Sequence, residues 1–208
     1  MILNSLIVAL GSTALALFIG YPAAYSISRH GTGRFVLFPV PLILRASPPM
    51  VIALPLLVFY SSVGLLDTAQ GLILVYATTT VFYIIWMIKP FMHAVPRDLE
   101  DAAMVDGVPR WSIPFKEILP TIAGGVVAST IFVFILNWTE FSLALALTMN
   151  QVRTIPIQMM TISGLGGDSQ GHGQAAALST VSIVPFILGA YFLQKQLLRD
   201  LFLGIVRG

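Results

Sequence analysis

The sequence predicts an all-α fold, a polytopic bundle of transmembrane helices formed by one domain over residues 1–208. Hydrophobic residues make up 57% of the chain, charged residues make up 10%, and the mean hydropathy is +0.89. A soluble core cannot hide that much apolar surface, so the chain is expected to lie in lipid. The absence of cysteine excludes a disulfide framework, and a net charge of +2 is too small to indicate nucleic-acid binding.

Five apolar stretches are long enough to cross the bilayer, whose hydrocarbon core of about 30 Å takes roughly 20 helical residues. They cover residues 2–27, 35–63, 68–91, 121–148 and 174–193. If the polar loop at 92–119 is cytoplasmic, nine of the eleven Lys and Arg residues lie inside, and Arg153 lies outside. The positive-inside rule therefore predicts a cytoplasmic loop and a cytoplasmic C-terminus.

The first half of the 92–119 loop carries the signals of a short helix. Asp98, Glu100 and Asp101 stand near its start, where acidic side chains suit the positive end of the helix dipole. Gly107 is expected to end this helix, because glycine readily adopts the left-handed conformation that is common there.

The second half of the loop is predicted to return as another short helix. Pro109 is expected to open it, and Pro114 is expected to interrupt it. The result would be a compact helix–turn–helix, in which the small residues Ala102 and Ala103 allow close approach by another surface.

The same stretch resembles the EAA loop of the membrane subunits of ABC importers. The sequence pattern of that loop is Glu-Ala-Ala, followed by three residues, Gly, nine residues, Ile, one residue and Leu-Pro. The spacing fits from Asp101 through Gly107 to Leu119-Pro120, although Asp101 replaces the usual Glu and Glu117 the usual Ile. The resemblance implies that this loop couples the chain to a partner ATPase. The coupling residues it implies are Glu100, Asp101, Ala102, Ala103, Asp106, Gly107, Leu119 and Pro120.

Shorter motifs elsewhere resemble carbohydrate-importer permeases, the group typified by the smaller membrane subunit of the maltose system. They include Asn4-Ser5-Leu6, Tyr21-Pro22-Ala23-Ala24-Tyr25 and Gly64-Leu65-Leu66-Asp67-Thr68. Because the family commonly has six spans, the resemblance implies another helix ahead of residue 4, and we expect an N-terminally shortened chain. A polyamine, sulfate or phosphonate is the alternative solute.

The resemblance also implies the partners and the location. The partners would be a second homologous permease, a dimer of ABC ATPases, an extracytoplasmic solute-binding protein and the membrane lipids of a bacterial or archaeal cell. No cofactor and no catalytic residue are expected on this chain, because ATP and Mg²⁺ would bind to the partner ATPase. A secondary transporter or channel is the rival class, and it would show an inverted repeat in its hydropathy, which is not clear here.

Polar residues inside the spans are candidates for a solute pathway. Asn137 and Glu140 are three residues apart, so in a continuous helix they share a face. A carboxylate in hydrocarbon is costly, so this pair either lines the pathway or anchors its helix at the headgroups. Arg45, Pro48 and Pro49 mark a second candidate, because broken helices are tolerated where they line water. A simple packing kink is the alternative at these prolines.

Two other patterns favour no functional site. The glycines of residues 164–173 follow no strand and precede no Gly-Lys-Ser/Thr, so a flexible external turn is favoured over a phosphate cradle. His30, His93 and His172 lack the spacing of a zinc site, and no metal site is expected.

Overall fold

The computed structural model describes three stretches of the chain, residues 1–31, 49–164 and 169–205. Their regular structure is helical throughout, which confirms the all-α prediction for these stretches. In chain order the helices are α1 (Ile2–His30), α2 (Pro49–Val63), α3 (Ala69–Ala94), α4 (Arg97–Val105), α5 (Ala123–Trp138), α6 (Ser142–Leu147), α7 (Ile155–Gly164) and α8 (Ser169–Ile205). A π-helical segment, Pro114–Ile118, and a one-turn helix, Leu119–Thr121, precede α5.

Among the described residues, three helices are long and apolar enough to cross a membrane, namely α1, α3 and the part of α8 from Gly173 to Phe192. A fourth span results if Pro114–Thr121 and α5 are counted together, although they are bent by 84°. The predicted span at 35–63 is described only from residue 49 on, where Val51–Val63 forms a shorter apolar helix. These helices fit a multi-pass membrane protein.

The predicted span at 121–148 is not one helix. Helix α5 ends at Trp138, and α6 starts separately. Glu140 lies between them, and its carboxylate accepts a hydrogen bond from the N–H of Leu143 at 3.1 Å, which helps to start α6. Because the helical path stops at Trp138, the prediction that Asn137 and Glu140 share a helix face is wrong.

Helices α1 and α3 pack against each other and approach closely at Gly20. A Cβ atom there would lie 2.7 Å from Cγ2 of Ile84 and 3.3 Å from the carbonyl oxygen of Val81. The close approach therefore requires a residue without a side chain. Ala16 and Ala24, one turn to either side, are fully buried. This small-residue stripe fixes α1 and everything that α1 carries against α3.

The 92–119 loop has its predicted first helix, α4, but its second helical segment begins later than predicted. The N–H of Ser112 donates to the carbonyl of Pro109 at 2.9 Å in a turn, and the π-helical segment then begins at Pro114. Pro109 therefore does not open the helix, and Pro114 does not interrupt it. Pro114 instead stands at the start of the segment, where a missing N–H costs nothing.

At the other end of α3, Asp67 ties two loops together. Its Oδ2 accepts hydrogen bonds from the N–H groups of Asn150 and Gln151 at 2.8 and 2.9 Å, and its Oδ1 accepts one from Val152 at 3.1 Å. Burial raises the pKa of Asp67, but the backbone N–H groups of residues 149–152 outweigh burial and lower the pKa to about 2. The ionised carboxylate therefore clamps the loop after α6 to the turn before α3.

Candidate functional site

Gly107 gives α4 a defined end. It follows the last helical residue, Val105, by two positions and has a left-handed φ of 82°. Its N–H donates to the carbonyl of Met104 at 3.1 Å, and the N–H of Val108 donates to that of Ala103 at 3.0 Å. These two bonds make up a Schellman motif. The prediction that Gly107 ends this helix is confirmed.

The carboxylate of Glu100 points toward α1. It forms an ion pair with the guanidinium of Arg29 in the last turn of α1, and its Oε2 accepts a hydrogen bond from the hydroxyl of Tyr25 at 2.8 Å. The side chains of Arg29 and Glu100 are only 7% and 13% exposed, so salt screens their attraction less than that of a surface pair. Arg29 also donates to the carbonyl of Val95 at 3.0 Å. Glu100 thus fastens α4 to α1 within this chain.

Tyr21 fastens the second half of the loop to the same helix. Its hydroxyl donates a hydrogen bond to the carbonyl of Pro114, and its ring lies 5.6 Å from that of Phe115, measured between centroids. Tyr21, Tyr25 and Arg29 are each four residues apart, so one face of α1 holds both halves of the loop. Sequence reasoning missed this face, although the regular spacing of two tyrosines and an arginine was a signal for it.

The outward surface of the 92–119 loop exposes large apolar side chains. Val105 is 87% exposed and Trp111 is 76% exposed. Ala102 is exposed as well, whereas Ala103 is buried in the core of this chain. Ala102 is therefore accessible to another molecule, and its contact with a partner stays a prediction, whereas the prediction is wrong for Ala103, which packs inward.

The remaining predicted coupling residues divide between the surface and the base of the loop. Asp101 and Asp106 are exposed on α4 and at its end, and they give this surface negative charge. Leu119 packs against the core, and Pro120 is exposed in the one-turn helix that leads toward α5. An apolar surface edged by carboxylates suits a partner with a matching apolar groove and basic rim.

Asn137 lies buried between α1 and α5. Its Nδ2 donates to the hydroxyl oxygen of Thr13 at 3.1 Å, and that hydroxyl donates to the carbonyl of Ala9 at 2.6 Å. A buried amide that finds such a partner is satisfied within the protein. The structure thus gives Asn137 a contact between helices, and its place on a solute pathway stays a prediction.

Glu140 is half-buried where α5 ends. Besides its bond to the start of α6, its backbone carbonyl accepts a hydrogen bond from the hydroxyl of Tyr76 at 3.3 Å. Of the second candidate group, Arg45 and Pro48 lie outside the described residues, and Pro49 is the first residue of α2. The pathway role of these four residues stays a prediction.

The family of the chain follows from comparison with known proteins. Residues 12–202 match the family described as "Binding-protein-dependent transport system inner membrane component". The chain belongs to this family. It is therefore a membrane permease component of a binding-protein-dependent transport system, which is the class that the EAA-like spacing predicted.

Several relatives align with nearly the whole chain. It is 32% identical to a trehalose transport system permease of Mycobacterium tuberculosis, over 100% of this chain and 76% of that protein. It is 32% identical to a sulfoquinovosyl glycerol transport system permease of Agrobacterium fabrum, over 99% and 72% of the respective chains. It is 30% identical to a trehalose/maltose transport system permease of Thermococcus litoralis, over 99% of this chain and 74% of that protein.

Solved structures support the fold. A bacterial ABC transporter that imports alginate matches with a TM-score of 0.73 at 23% identity, over 92% of this chain and 72% of the other. A methionine ABC transporter in inward-facing conformations matches with a TM-score of 0.70 at 16% identity, over 93% of each chain. The helical arrangement is thus that of ABC transporter membrane subunits.

Proposed function

We propose that this chain translocates a sugar as one of two permeases in an ATP-driven importer. Two ATPase subunits and an extracytoplasmic binding protein complete the assembly, which lies in a bacterial or archaeal cell membrane. The 92–119 loop and the C-terminus face the cytoplasm. The observation that carries the proposal is the loop itself, which exposes an apolar outer surface while its inner side is bonded to α1.

The outer surface of the loop docks on the ATPase. Val105 and Trp111 supply exposed apolar area, and Asp101 and Asp106 supply charge at its edge. ATP and Mg²⁺ bind to the ATPase, and this chain needs no cofactor of its own. Docking on a rigid, capped helix limits the entropy that the complex loses when it forms.

Movement of the ATPase passes to the membrane helices through two contacts. The Glu100–Arg29 ion pair carries displacement of α4 to the end of α1, and the Tyr21–Pro114 hydrogen bond does the same for the π-helical segment. Because α1 is fixed against α3 at Gly20, the two helices move together. Nucleotide and the binding protein would each favour one of two packings of the permease pair, which gives alternating access.

The sugar assignment is supported by the relatives. Those named above transport trehalose, trehalose and maltose, or sulfoquinovosyl glycerol, which favours a sugar or sugar derivative over a polyamine, sulfate or phosphonate. Within this chain, Glu140, Arg45, Pro48 and Pro49 are the proposed pathway residues, and Asn137 is proposed to hold α5 to α1 through its bond to Thr13.

Uptake by the reconstituted assembly tests this function. Vesicles containing both permeases and the ATPases, with ATP inside, should accumulate radiolabelled trehalose or maltose when the binding protein is added outside. Vesicles without ATP, and vesicles without the binding protein, are the controls. Uptake that persists without ATP would identify a secondary transporter or channel instead, and ATP-dependent uptake of sulfate or polyamine alone would overturn the sugar assignment.

A further inference from the structure

The base of the 92–119 loop joins α5 at a sharp bend. The segment Pro114–Thr121 and α5 are bent by 84° across a break at Ile122. Ile122 is buried, and its φ of −106° and ψ of 16° differ from helical values. Its N–H still donates to the carbonyl of Ile118 at 3.0 Å, and its carbonyl accepts a hydrogen bond from the N–H of Val126 at 3.1 Å. The chain therefore turns at one residue and keeps the backbone hydrogen bonds on both sides of it.

The segment before the bend is not a regular α-helix. Pro114–Ile118 is π-helical, and short π-helical segments are rare and often lie at functional sites. Pro120, two residues before the break, has no N–H to donate. The chain before the bend thus lacks the regular hydrogen-bond ladder that stiffens an α-helix.

Just beyond the bend, α5 meets the end of α3 at Gly125. A Cβ atom on Gly125 would lie 2.5 Å from Cγ and Cδ2 of Phe91 and 2.7 Å from its Cδ1. The ring of Phe91, in the last turn of α3, therefore lies directly on the backbone of α5. Because no side chain projects from Gly125 into this contact, the two helices do not interlock there.

The other end of α5 is held more firmly. Trp138, its last residue, is 4% exposed and packs in a buried cluster with Ala9 of α1 and Ile155 of α7. The indole N–H of Trp138 donates to the carbonyl of Ser182 in α8 at 3.2 Å. A helix held at one end turns about that end, so its largest displacement occurs at the other end, beside the bend.

We infer that the bend at Ile122 is a hinge and that the contact of Phe91 with Gly125 is the sliding surface on which α5 moves. When the ATPase moves the 92–119 loop together with α1, α5 turns about its Trp138 end and the angle at Ile122 changes. Phe91 and Gly125 are positioning residues, because they guide α5 rather than bind the solute. This inference rests on the proposed coupling to an ATPase and gives that coupling a second path, from the base of the loop into α5.

Spin-label distances in the assembled transporter test the hinge. The chain has no native cysteine, and the partner subunits are used without accessible cysteines. Lys116→Cys is paired with Val127→Cys, across the bend, or with His30→Cys, at the end of α1; all three residues are exposed. Binding of ATP without Mg²⁺, which prevents hydrolysis, should change the Lys116–Val127 distance. The Lys116–His30 distance should not change, because the loop and α1 move as one body.

ATP-driven uptake by the same labelled transporter, with Mg²⁺ present, separates the two ways in which this test can fail. ATP-driven uptake with an unchanged Lys116–Val127 distance would overturn the hinge alone. A lack of ATP-driven uptake, also in the unlabelled wild type, would overturn the proposed function and the hinge with it. A change in both distances would mean that the loop separates from α1, which would also overturn the hinge.

Gly125→Ala should block the sliding contact, because its methyl group would strike the ring of Phe91. This variant should lose most of the nucleotide-dependent change in the Lys116–Val127 distance and import less solute per ATP hydrolysed. Alanine favours a helix over glycine, so a weakened α5 would not explain the loss. The double variant Gly125→Ala with Phe91→Ala removes the obstacle and should recover part of the distance change. No recovery would overturn the role of this contact.

Gly189→Ala is the matched control. Gly189 of α8 packs on α5 away from the bend, where a Cβ atom would lie 3.0 Å from Cγ2 of Ile131 and 3.3 Å from Cδ1 of Ile135. The added methyl group therefore crowds α5 as well, but it should leave the nucleotide-dependent distance change and the uptake per ATP as in the wild type. Equal losses in Gly125→Ala and Gly189→Ala would overturn the sliding contact in favour of a general effect of packing on α5.

Discussion

Glu100 of α4 and Arg29 of α1 form a largely buried ion pair between residues far apart in sequence. The hydroxyl of Tyr25 donates a hydrogen bond to the same carboxylate. A buried pair of this kind contributes modestly as a whole but is costly to break, because the remaining charge stays without its partner. The pair therefore fixes the angle at which α4 leaves the membrane bundle.

Removing one member of this pair should destabilise the permease. Glu100→Ala leaves Arg29 buried and unpaired, a change that typically costs about 3–5 kcal/mol. We expect a lower melting temperature and more ATP hydrolysed per sugar transported. The double variant Arg29→Gln with Glu100→Gln should melt at a higher temperature than Glu100→Ala, since no charge is left alone. Asp101→Ala, at an exposed neighbour, should melt as the wild type does; equal losses at both carboxylates would contradict a special role for Glu100.

Coupling to the ATPase should require the left-handed backbone conformation of Gly107 rather than its small size. No atom lies within 4 Å of the position that a Cβ would take, but the left-handed φ is strained for other residues. Gly107→Val should cost about 1–2 kcal/mol locally and reduce both ATPase co-purification and sugar-stimulated ATP hydrolysis. Gly107→Asn should retain most of both, because asparagine tolerates this conformation. If Gly107→Asn lowers ATPase co-purification and sugar-stimulated ATP hydrolysis as much as Gly107→Val does, coupling instead requires a surface contact that any side chain at this position blocks.

The Asp67 clamp should give the permease an acid-sensitive component of stability. The pKa of Asp67 in the folded protein, about 2, lies below its ordinary value of 3.8, so its contribution is complete above the ordinary value. That contribution is lost as the pH falls through the folded value. The melting temperature of the wild type should exceed that of Asp67→Asn by a constant amount at neutral pH, and the gap should close toward about pH 2. Asp98→Asn, at an exposed carboxylate, is the control.

The Asn137–Thr13 hydrogen bond should contribute to assembly more than to transport. Polar bonds between membrane helices contribute about 0.6 kcal/mol on average. Asn137→Ala and Thr13→Val should each lower the amount of assembled transporter slightly, and the double variant should lose less than the sum. Uptake per assembled complex should not change. A fall in that normalised rate with normal assembly would place Asn137 on the solute pathway.

Cysteine labelling should establish the orientation, since the chain has no native cysteine. Val105 and Met149 are 87% and 61% exposed and lie at opposite ends of the bundle. In intact cells that lack the ATPase, an impermeant thiol reagent should label Met149→Cys and not Val105→Cys. Both should be labelled after the membrane is permeabilised. Labelling of Val105→Cys in intact cells would reverse the proposed topology.

The features that sequence predicted well depend on local signals. Hydropathy found the long spans α1 and α3 because length and composition suffice for them, and the glycine at position 107 marked the end of α4 through backbone freedom alone. The break after Trp138 was missed because both sides of it are apolar, and hydropathy does not detect a carboxylate that caps the next helix.

Other features depend on packing and could not be predicted locally. Pro109 and Pro114 are both compatible with a helix start, and the structure starts the second segment at the one whose carbonyl meets Tyr21. The ion pair of Arg29 with Glu100 joins residues on different helices, so only the packing of α1 on α3 brings them together.

The spacing of Tyr21, Tyr25 and Arg29 restricts how α1 can move. The three residues are anchored to the 92–119 loop from one side of the helix. A shift of one residue in the helix register would turn that side by about 100°, which would break all three contacts at once. A tilt of α1 that carries the loop with it would keep them. Helix α1 should therefore tilt when the ATPase moves the loop. Spin labels along α1 should report a change in its inclination without rotation about its axis.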